Sequence, residues 1–242
     1  MNNPKVSIIT PCLNSDKTIR RTIESVLCQT YTNIEYIIVD GMSTDKTVDI
    51  IKEYVPLFNG RLRYVSEKDN GIYDAMNKGI RLSKGVLVGI INSDDFYHRN
   101  AVKNIVMNMT DNDYQVIYGY CRIIDHNYTV NFMKNRHQNL KSSMIPHPTC
   151  FVTRKAYQDF GMFLTTFKIA SDYEFMLRLY YSKKVVFVQV KKIIANFRLG
   201  GVCYQSKKCK LENLIIKYHY KILSFNEVMI NLVKMYLFHD YK

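Results

Sequence analysis

Four short apolar runs dominate the first hundred residues: Val6–Thr10, Ile34–Val39, Leu62–Val65 and Val86–Ile91. Each reads as a strand, the last of them buried on both faces. Between them lie segments of helical spacing. Ile19, Ile23, Val26 and Leu27 share one face of a helix that Ser15 or Asp16 is placed to cap. Val48, Ile51 and Val55 share another, which Ser43 or Thr44 would cap and Pro56 would stop. A third runs from about Tyr73 to Leu82 and ends before Gly85. This alternation predicts an α/β fold with a mostly parallel central sheet and helices on both faces. Ligands of such sheets bind beyond the carboxyl ends of the strands. Asp40, the Glu67–Asp69 loop and Asp94-Asp95 all fall at ends of that kind.

Asp94-Asp95 is the most demanding of these. Adjacent carboxylates at the tip of a buried strand are costly unless water or a cation compensates them. Hard divalent cations accept such oxygen donors and share them with phosphates. The competing reading is a solvated acidic turn before a helix.

Beyond Ile91 the pattern changes. A helix over about Asn100–Met109 precedes three strand-like segments, Gln115–Tyr118, Tyr120–Ile124 and Tyr128–Met133, which predict antiparallel additions, with a turn at 125–127. Pro146-His147-Pro148 forms a rigid loop leading into Thr149–Val152. Ser171 and Glu174 have the spacing of a capping box opening a helix through about Ser182. Val185–Val190 and Ile193–Phe197 are the last strands, and two amphipathic helices follow from Leu211. The expected organisation is a domain over 1–204 with a basic helical extension over 205–242.

The formal net charge is +13, from 34 Lys and Arg against 21 Asp and Glu. It would suit nucleic acid, an anionic membrane surface or phosphorylated substrates. Acidic clusters sit in the first hundred residues, whereas lysines crowd 183–242 among Tyr, Leu and Ile. A nucleic-acid-binding fold signature is absent, so nucleic acid is not expected as a partner. The six cysteines are scattered without CxxC spacing, which predicts reduced thiols rather than a disulfide framework or zinc site. No apolar run reaches the roughly 18 residues of a membrane span, and the N-terminus has no signal-peptide pattern; the expected location is cytoplasmic.

Together these motifs resemble the family 2 glycosyltransferases of the GT-A fold. The resemblance runs from about Val6 to Tyr204. It rests on Val6–Pro11, Ser25–Thr30, Ile38–Thr47, Asp69–Gly79, Asn92–Asp95, Ser171–Glu174 and Gly200-Gly201, in that order and spacing. The Gly71–Gly79 form is similar to the subgroup that assembles bacterial capsule, O-antigen and exopolysaccharide.

The resemblance implies an inverting, metal-dependent enzyme that moves one sugar from a nucleotide-sugar donor, most often UDP-linked, to a lipid-linked or oligosaccharide acceptor. By similarity, Asp40 would accept a hydrogen bond from the nucleobase, and the main chain of Thr10 and Pro11 would line the nucleoside pocket. Asp40 can equally begin an Asx-turn before Gly41. Asp69 would contact the donor, or serve only the turn before Gly71. Asp94 would face the ribose or the water shell of the metal. Asp95 would coordinate Mn²⁺ or Mg²⁺ on the diphosphate. Asp172 falls where inverting members place the base that deprotonates the acceptor; its competing role is to complement a helix dipole. His147 would lie toward the acceptor and Arg198 against a phosphate, or both are structural.

Two departures matter. Met76 stands where many members carry an arginine before the motif Asn, so Lys78 would have to supply that contact. The chain has no tryptophan, hence no Q-x-x-R-W motif of processive synthases, which points to single-sugar transfer. The basic C-terminal helices would suit peripheral docking on an anionic inner leaflet, or only pack on the domain. An inactive nucleotide-sugar-binding homologue is the alternative function.

Overall fold

The structure, a computed structural model, describes residues 3–125, 128–200 and 207–237. Turn residues His126 and Asn127, together with Gly201, Cys203 and Tyr204, lie outside them.

The first four strands form as the apolar runs predict: β1 (Val6–Cys12), β2 (Ile34–Asp40), β3 (Leu62–Ser66) and β4 (Leu87–Ile90). They pair in parallel in the order β3-β2-β1-β4. Beyond β4 the sheet turns mixed. Strand β8 (Phe151–Thr153) is antiparallel to β4, and β6 (Gln115–Asp125) is antiparallel to β8. Strand β9 (Val186–Arg198) lies parallel to β6, and β5 (Phe96–Tyr97) closes the far edge against β9. Hairpin strand β7 (Tyr128–Met133) pairs with β6 alone and is largely exposed.

Strand periodicity sorts side chains into two cores. Val6, Ile8, Tyr36 and Ile38 point to one face, where α1 (Ile19–Leu27), α2 (Thr47–Tyr54) and α4 (Ala101–Val106) pack. Ile9, Ile37 and Val39 point to the other, against α3 (Ile72–Leu82), α5 (Arg154–Phe160), α6 (Ser171–Tyr181) and Ile216 of α7 (Lys207–His219). Each of these fully buried side chains contributes roughly 1.5–3 kcal/mol. The final helix, α8 (Phe225–Leu237), leaves Phe225, Met229, Ile230 and Val233 exposed.

Several expectations are corrected. Helix α1 begins at Ile19, because Ser15 and Asp16 are engaged elsewhere: the Ser15 hydroxyl meets that of Ser93 at 2.8 Å, and the Asp16 amide donates to Asp45. Helix α2 begins at Thr47, whose amide donates to the Asp45 carboxylate at 2.9 Å; Ser43 instead serves Asp40. The segments split at Gly119 are one strand, as are those split at Lys191-Lys192. The register slips opposite this point. A side-chain carbon at Gly119 would stand 2.7 Å from the Lys192 carbonyl, so glycine here marks a close backbone approach, not a chain break. Helix α5 and edge strand β5 carry too short a pattern to be read from sequence.

The capping box also fails. Ala170 is the N-cap of α6, Ser171 is the first helical residue, and the Ser171 hydroxyl has no hydrogen-bond partner. Glu174 turns to Arg178, at 2.8 Å, and accepts the Tyr220 hydroxyl at the same distance.

Candidate active site

Strands β1, β2 and β3 end in register at Cys12, Asp40 and Ser66. Asp40 is wholly buried. Its carboxylate accepts the Ser66 hydroxyl at 2.6 Å, the Ser43 hydroxyl, the Ser43 amide at 3.1 Å and the Cys12 thiol at 3.7 Å. Asp40 therefore ties three strand tips to the turn that follows β2. Burial and the Asp40 charge push the Cys12 thiol far above its ordinary pKa. Thr10 accepts the Tyr36 hydroxyl at 2.9 Å, and Thr10 and Pro11 are both buried within β1.

Asp69 sits over this platform, half-exposed. One oxygen accepts the Gly71 amide at 3.1 Å, and the other lies 2.8 Å from where a side-chain carbon at Gly41 would stand. Gly41 thus leaves room for a carboxylate brought from another loop. Lys78 braces that loop: its ammonium donates to the Lys68 carbonyl at 2.7 Å, lies 3.0 Å from Glu67 and 3.9 Å from Asp74.

The turn after β4 is pinned from α1, where the Thr22 hydroxyl lies 2.6 Å from the Asp95 carbonyl and 3.0 Å from that of Ser93. Asp95 is 1% exposed. One carboxylate oxygen accepts the Arg198 amide at 3.0 Å, and the other is buried without a partner. Burial first, and the neighbouring Asp94 second, hold the Asp95 carboxyl well above the usual carboxylate range, against the pull of Arg198. Burial raises Asp94 as well. Arg198 thus belongs to this cluster. So does Arg21, which nothing in the sequence singled out: its guanidinium lies 3.7 Å over the Phe96 ring, and burial and the Arg198 charge lower its pKa.

Asp172 lies in the first turn of α6. The Tyr73 hydroxyl stands 2.8 Å from one of its oxygens and 2.6 Å from the Ile169 carbonyl. His147 opens a short 3₁₀ turn beside it; burial lowers the imidazole pKa, and the Asp172 charge partly restores it. Asn77 of the same motif grips the loop ahead of α6, bonding both the amide and the carbonyl of Phe163 at 3.0 and 2.8 Å. The Phe163 ring in turn contacts Tyr73 and His147.

Three clusters therefore share the carboxyl rim of the sheet: Asp40 with Asp69, Asp94-Asp95 with Arg198, and Asp172 with His147. The Ser15–Ser93 contact links the first two loops, and α3, starting just after Gly71 and carrying Tyr73, links the first to the third. The sequence profile of glycosyl transferase family 2 matches residues 7–184, which spans all of these except Arg198.

The chain belongs to glycosyl transferase family 2.

Relatives agree with this. It is 32% identical over 227 residues to the chondroitin synthase of Escherichia coli, covering 91% of this chain but 32% of that protein. It is 26% identical over 205 residues to a PGL/p-HBAD biosynthesis glycosyltransferase of Mycobacterium bovis, covering 84% of this chain and 80% of the relative. The chain thus spans about a third of the length of the first and four-fifths of the second. Among solved structures, S. aureus TarS 1-349 in complex with UDP-GlcNAc superposes with a TM-score of 0.71 at 17% identity, covering 97% of this chain and 73% of that one. The mannosyltransferase PcManGT of Pyrobaculum calidifontis, in complex with GDP-Man and Mn²⁺, gives 0.67 at 17%, covering 98% and 71%. The fold of this family 2 chain is accordingly GT-A, with a mixed sheet whose N-terminal half is parallel.

Tyr73 and Arg21 are the site-region residues that the sequence did not reveal. Tyr73 carried a weak signal, a tyrosine on the buried face of the motif helix. Arg21 carried none.

Proposed function

We propose that this chain transfers one sugar, with inversion, from a UDP-linked donor to a lipid-linked or oligosaccharide acceptor in bacterial surface polysaccharide synthesis. The observation that carries the reading is the placing of Asp172, held by Tyr73, on the same rim as the half-buried Asp94 and the buried Asp95. Asp172 takes the proton of the acceptor hydroxyl as that oxygen attacks the anomeric carbon in line. The bond from that carbon to the diphosphate oxygen breaks, and the nucleoside diphosphate leaves with the bonding electron pair. The new bond forms on the opposite face, which inverts the configuration.

The nucleobase is read at the Asp40–Asp69 platform, with the main chain of Thr10 and Pro11 alongside. Asp69 presents the outward carboxylate; Asp40, with its oxygens already occupied, fixes the platform beneath. Arg198 and Arg21 bring positive charge to the diphosphate end.

Asp94 and Asp95 suit Mn²⁺ or Mg²⁺. They supply oxygen donors only, and one Asp95 oxygen is buried and unpartnered. Among the described residues no three His, Cys, Asp or Glu converge, so donor phosphates and water would complete the shell. Such an ion, when bound, neutralises charge on the leaving diphosphate. The Mn²⁺ in the PcManGT complex supports this. The UDP-GlcNAc bound to TarS supports a UDP donor. The chondroitin synthase and PGL relatives support a bacterial glycan or glycolipid acceptor.

Among the described residues no helix is long and apolar enough to cross a membrane. Helices α7 and α8 expose Ile215, Tyr218, Phe225, Met229, Ile230 and Val233, and α7 with the turn after it carries Lys207, Lys208, Lys210, Lys217 and Lys221. That combination supports peripheral docking on an anionic leaflet.

A nucleotide-sugar panel screened by thermal shift with Mn²⁺ tests the donor. A ligand at a hundred times its dissociation constant stabilises by about 2.7 kcal/mol. Product configuration read by NMR tests inversion: retention of the donor's anomeric configuration would exclude the single-displacement chemistry assigned to Asp172.

A further inference from the structure

Helix α7 lies beyond the 7–184 family match, yet it reaches back to the segment that presents Asp172. Glu212, in its second turn, is 7% exposed. One carboxylate oxygen accepts the Lys168 amide at 2.9 Å; the other accepts the amides of Ile169 at 2.8 Å and Ala170 at 2.9 Å. Three successive N–H groups converging on one carboxylate fix the backbone conformation of those residues. Ala170 is the N-cap of α6, and Asp172 is the second residue of the helix.

No side chain of α6 or its N-cap caps this helix, and the Ser171 hydroxyl is left unpartnered. The backbone amides that enter the helix are therefore held from α7, while α3 holds the Ile169 carbonyl and the loop at Phe163. The same three-residue segment carries the Ile169 carbonyl that receives the Tyr73 hydroxyl, whose other contact is Asp172. Glu212, the 168–170 backbone, Tyr73 and Asp172 form one hydrogen-bonded chain. Three further contacts hold α7 along α6: Ile216 is buried in the core that contains Phe175 and Leu179, and Tyr220, just past the end of α7, stacks on Tyr181 at 5.3 Å and donates its hydroxyl to Glu174 at 2.8 Å.

We propose that Glu212 is a positioning residue for the transfer step. Through the backbone of 168–170 it sets where the Asp172 carboxylate meets the acceptor hydroxyl. The proposal rests on the reading of Asp172 as the base. It gives the C-terminal helix a part in the chemistry that a separate membrane-docking extension would not have.

The test uses the full chain and four variants: Glu212→Gln, Glu212→Ala, Tyr220→Phe and Asp172→Asn. Nucleoside diphosphate release is measured from UDP-Glc, UDP-Gal, UDP-GlcNAc, UDP-GalNAc and GDP-Man, with water as the acceptor, and UDP binding is measured by calorimetry. Gln keeps one acceptor oxygen but aims an amide N–H₂ at a backbone N–H, with little change in volume. The expected result is a kcat lower by about ten-fold in Glu212→Gln and about a hundred-fold in Glu212→Ala, with UDP affinity within about two-fold of the parent. A purely structural role would move both together or neither. Tyr220→Phe loosens α7 without touching Glu212 and should keep most of the parent kcat; a loss there equal to that of Glu212→Gln overturns the positioning role. So does an unchanged kcat in both Glu212 variants when Asp172→Asn is inactive. Full release by Asp172→Asn, or none by the parent from any donor, overturns instead the reading of the site on which the proposal rests.

Discussion

The Tyr73 hydroxyl stands 2.8 Å from an Asp172 oxygen, joining the first turn of α3 to the first turn of α6 across 99 residues of sequence. One phenol proton serves both that carboxylate and the Ile169 carbonyl, so it holds the side chain of the base and the backbone beneath it. Tyr73→Phe should cost about 1 kcal/mol of stability. Its kcat should fall by about ten-fold as Asp172 loses its orientation, and UDP affinity should not change. Asp172→Asn should lose about a thousand-fold, the scale of general base catalysis. Steady-state kinetics beside thermal melts separate the two effects; an unaltered kcat in Tyr73→Phe would leave the contact structural.

Asp95 carries a stability penalty in the metal-free protein. Its buried oxygen has no partner, and its carboxyl pKa is raised in the fold. A raised carboxylate pKa stabilises the fold below the unfolded value, and that contribution is lost as pH rises through the folded value. Asp95→Asn should therefore melt about 2–4 °C higher than the parent at neutral pH without metal, with the advantage shrinking in acid. It should also lose transfer activity and any Mn²⁺-induced rise in melting temperature. Melting curves with and without Mn²⁺ check this, and an equal Mn²⁺ shift in the variant would place the ion elsewhere.

Gly41→Ala tests the Asp69 platform. The added methyl would stand 2.8 Å from an Asp69 carboxylate oxygen, the mobile end of a side chain, so Asp69 can swing aside. The stability change should stay within about 1 kcal/mol. UDP affinity by calorimetry should weaken by about ten-fold, since a displaced carboxylate loses a hydrogen bond to the base. Parent-like affinity would remove Asp69 from the nucleobase site.

Burial lowers the His147 pKa below its ordinary value of 6.5. A depressed histidine pKa gives stability that is present above the unfolded value and lost as pH falls through the folded one. The melting difference between the parent and His147→Gln should therefore narrow from about pH 8 to about pH 5.5. A difference that stays constant across the series would mean that His147 titrates as in the unfolded chain.

Ile230→Glu places a charge on the exposed apolar face of α8, a helix that carries none of the residues assigned to the chemistry. Partition onto vesicles containing about 30% anionic lipid should fall by about ten-fold, the worth of one apolar contact. Turnover of a soluble acceptor should be unaffected. Equal sedimentation of parent and variant would mean that this face does not meet lipid.

How much was legible follows the range of the interactions. Strands β1 to β4 and helices α1 to α3 could be read because each has its own hydrophobic period, and their acids could be placed at strand ends from that alone. Their caps could not. Ser15, Ser43 and Ser171 have the right local chemistry, but the Ser15 hydroxyl meets Ser93 from a distant loop, Ser43 turns back to the buried Asp40, and Ser171 finds no partner while Glu212 takes the backbone amides ahead of it. Lys78 is similar: its contacts with Glu67 and the Lys68 carbonyl come from the preceding loop and show in no local period.

The sequence by itself determined the α/β class, the parallel half of the sheet and the residue types at its rim, because hydrophobic period and strand-end chemistry are written locally. Tertiary structure alone decided which acids face inward and which face out. It buried Asp40 among four donors and left an Asp95 oxygen unpartnered, and it tied Asp172 to Tyr73 and, through the backbone, to Glu212. The reason is physical. Hydrogen bonds and desolvation depend on what the folded chain brings within about 3 Å, and contacts between residues a hundred positions apart leave no period to read.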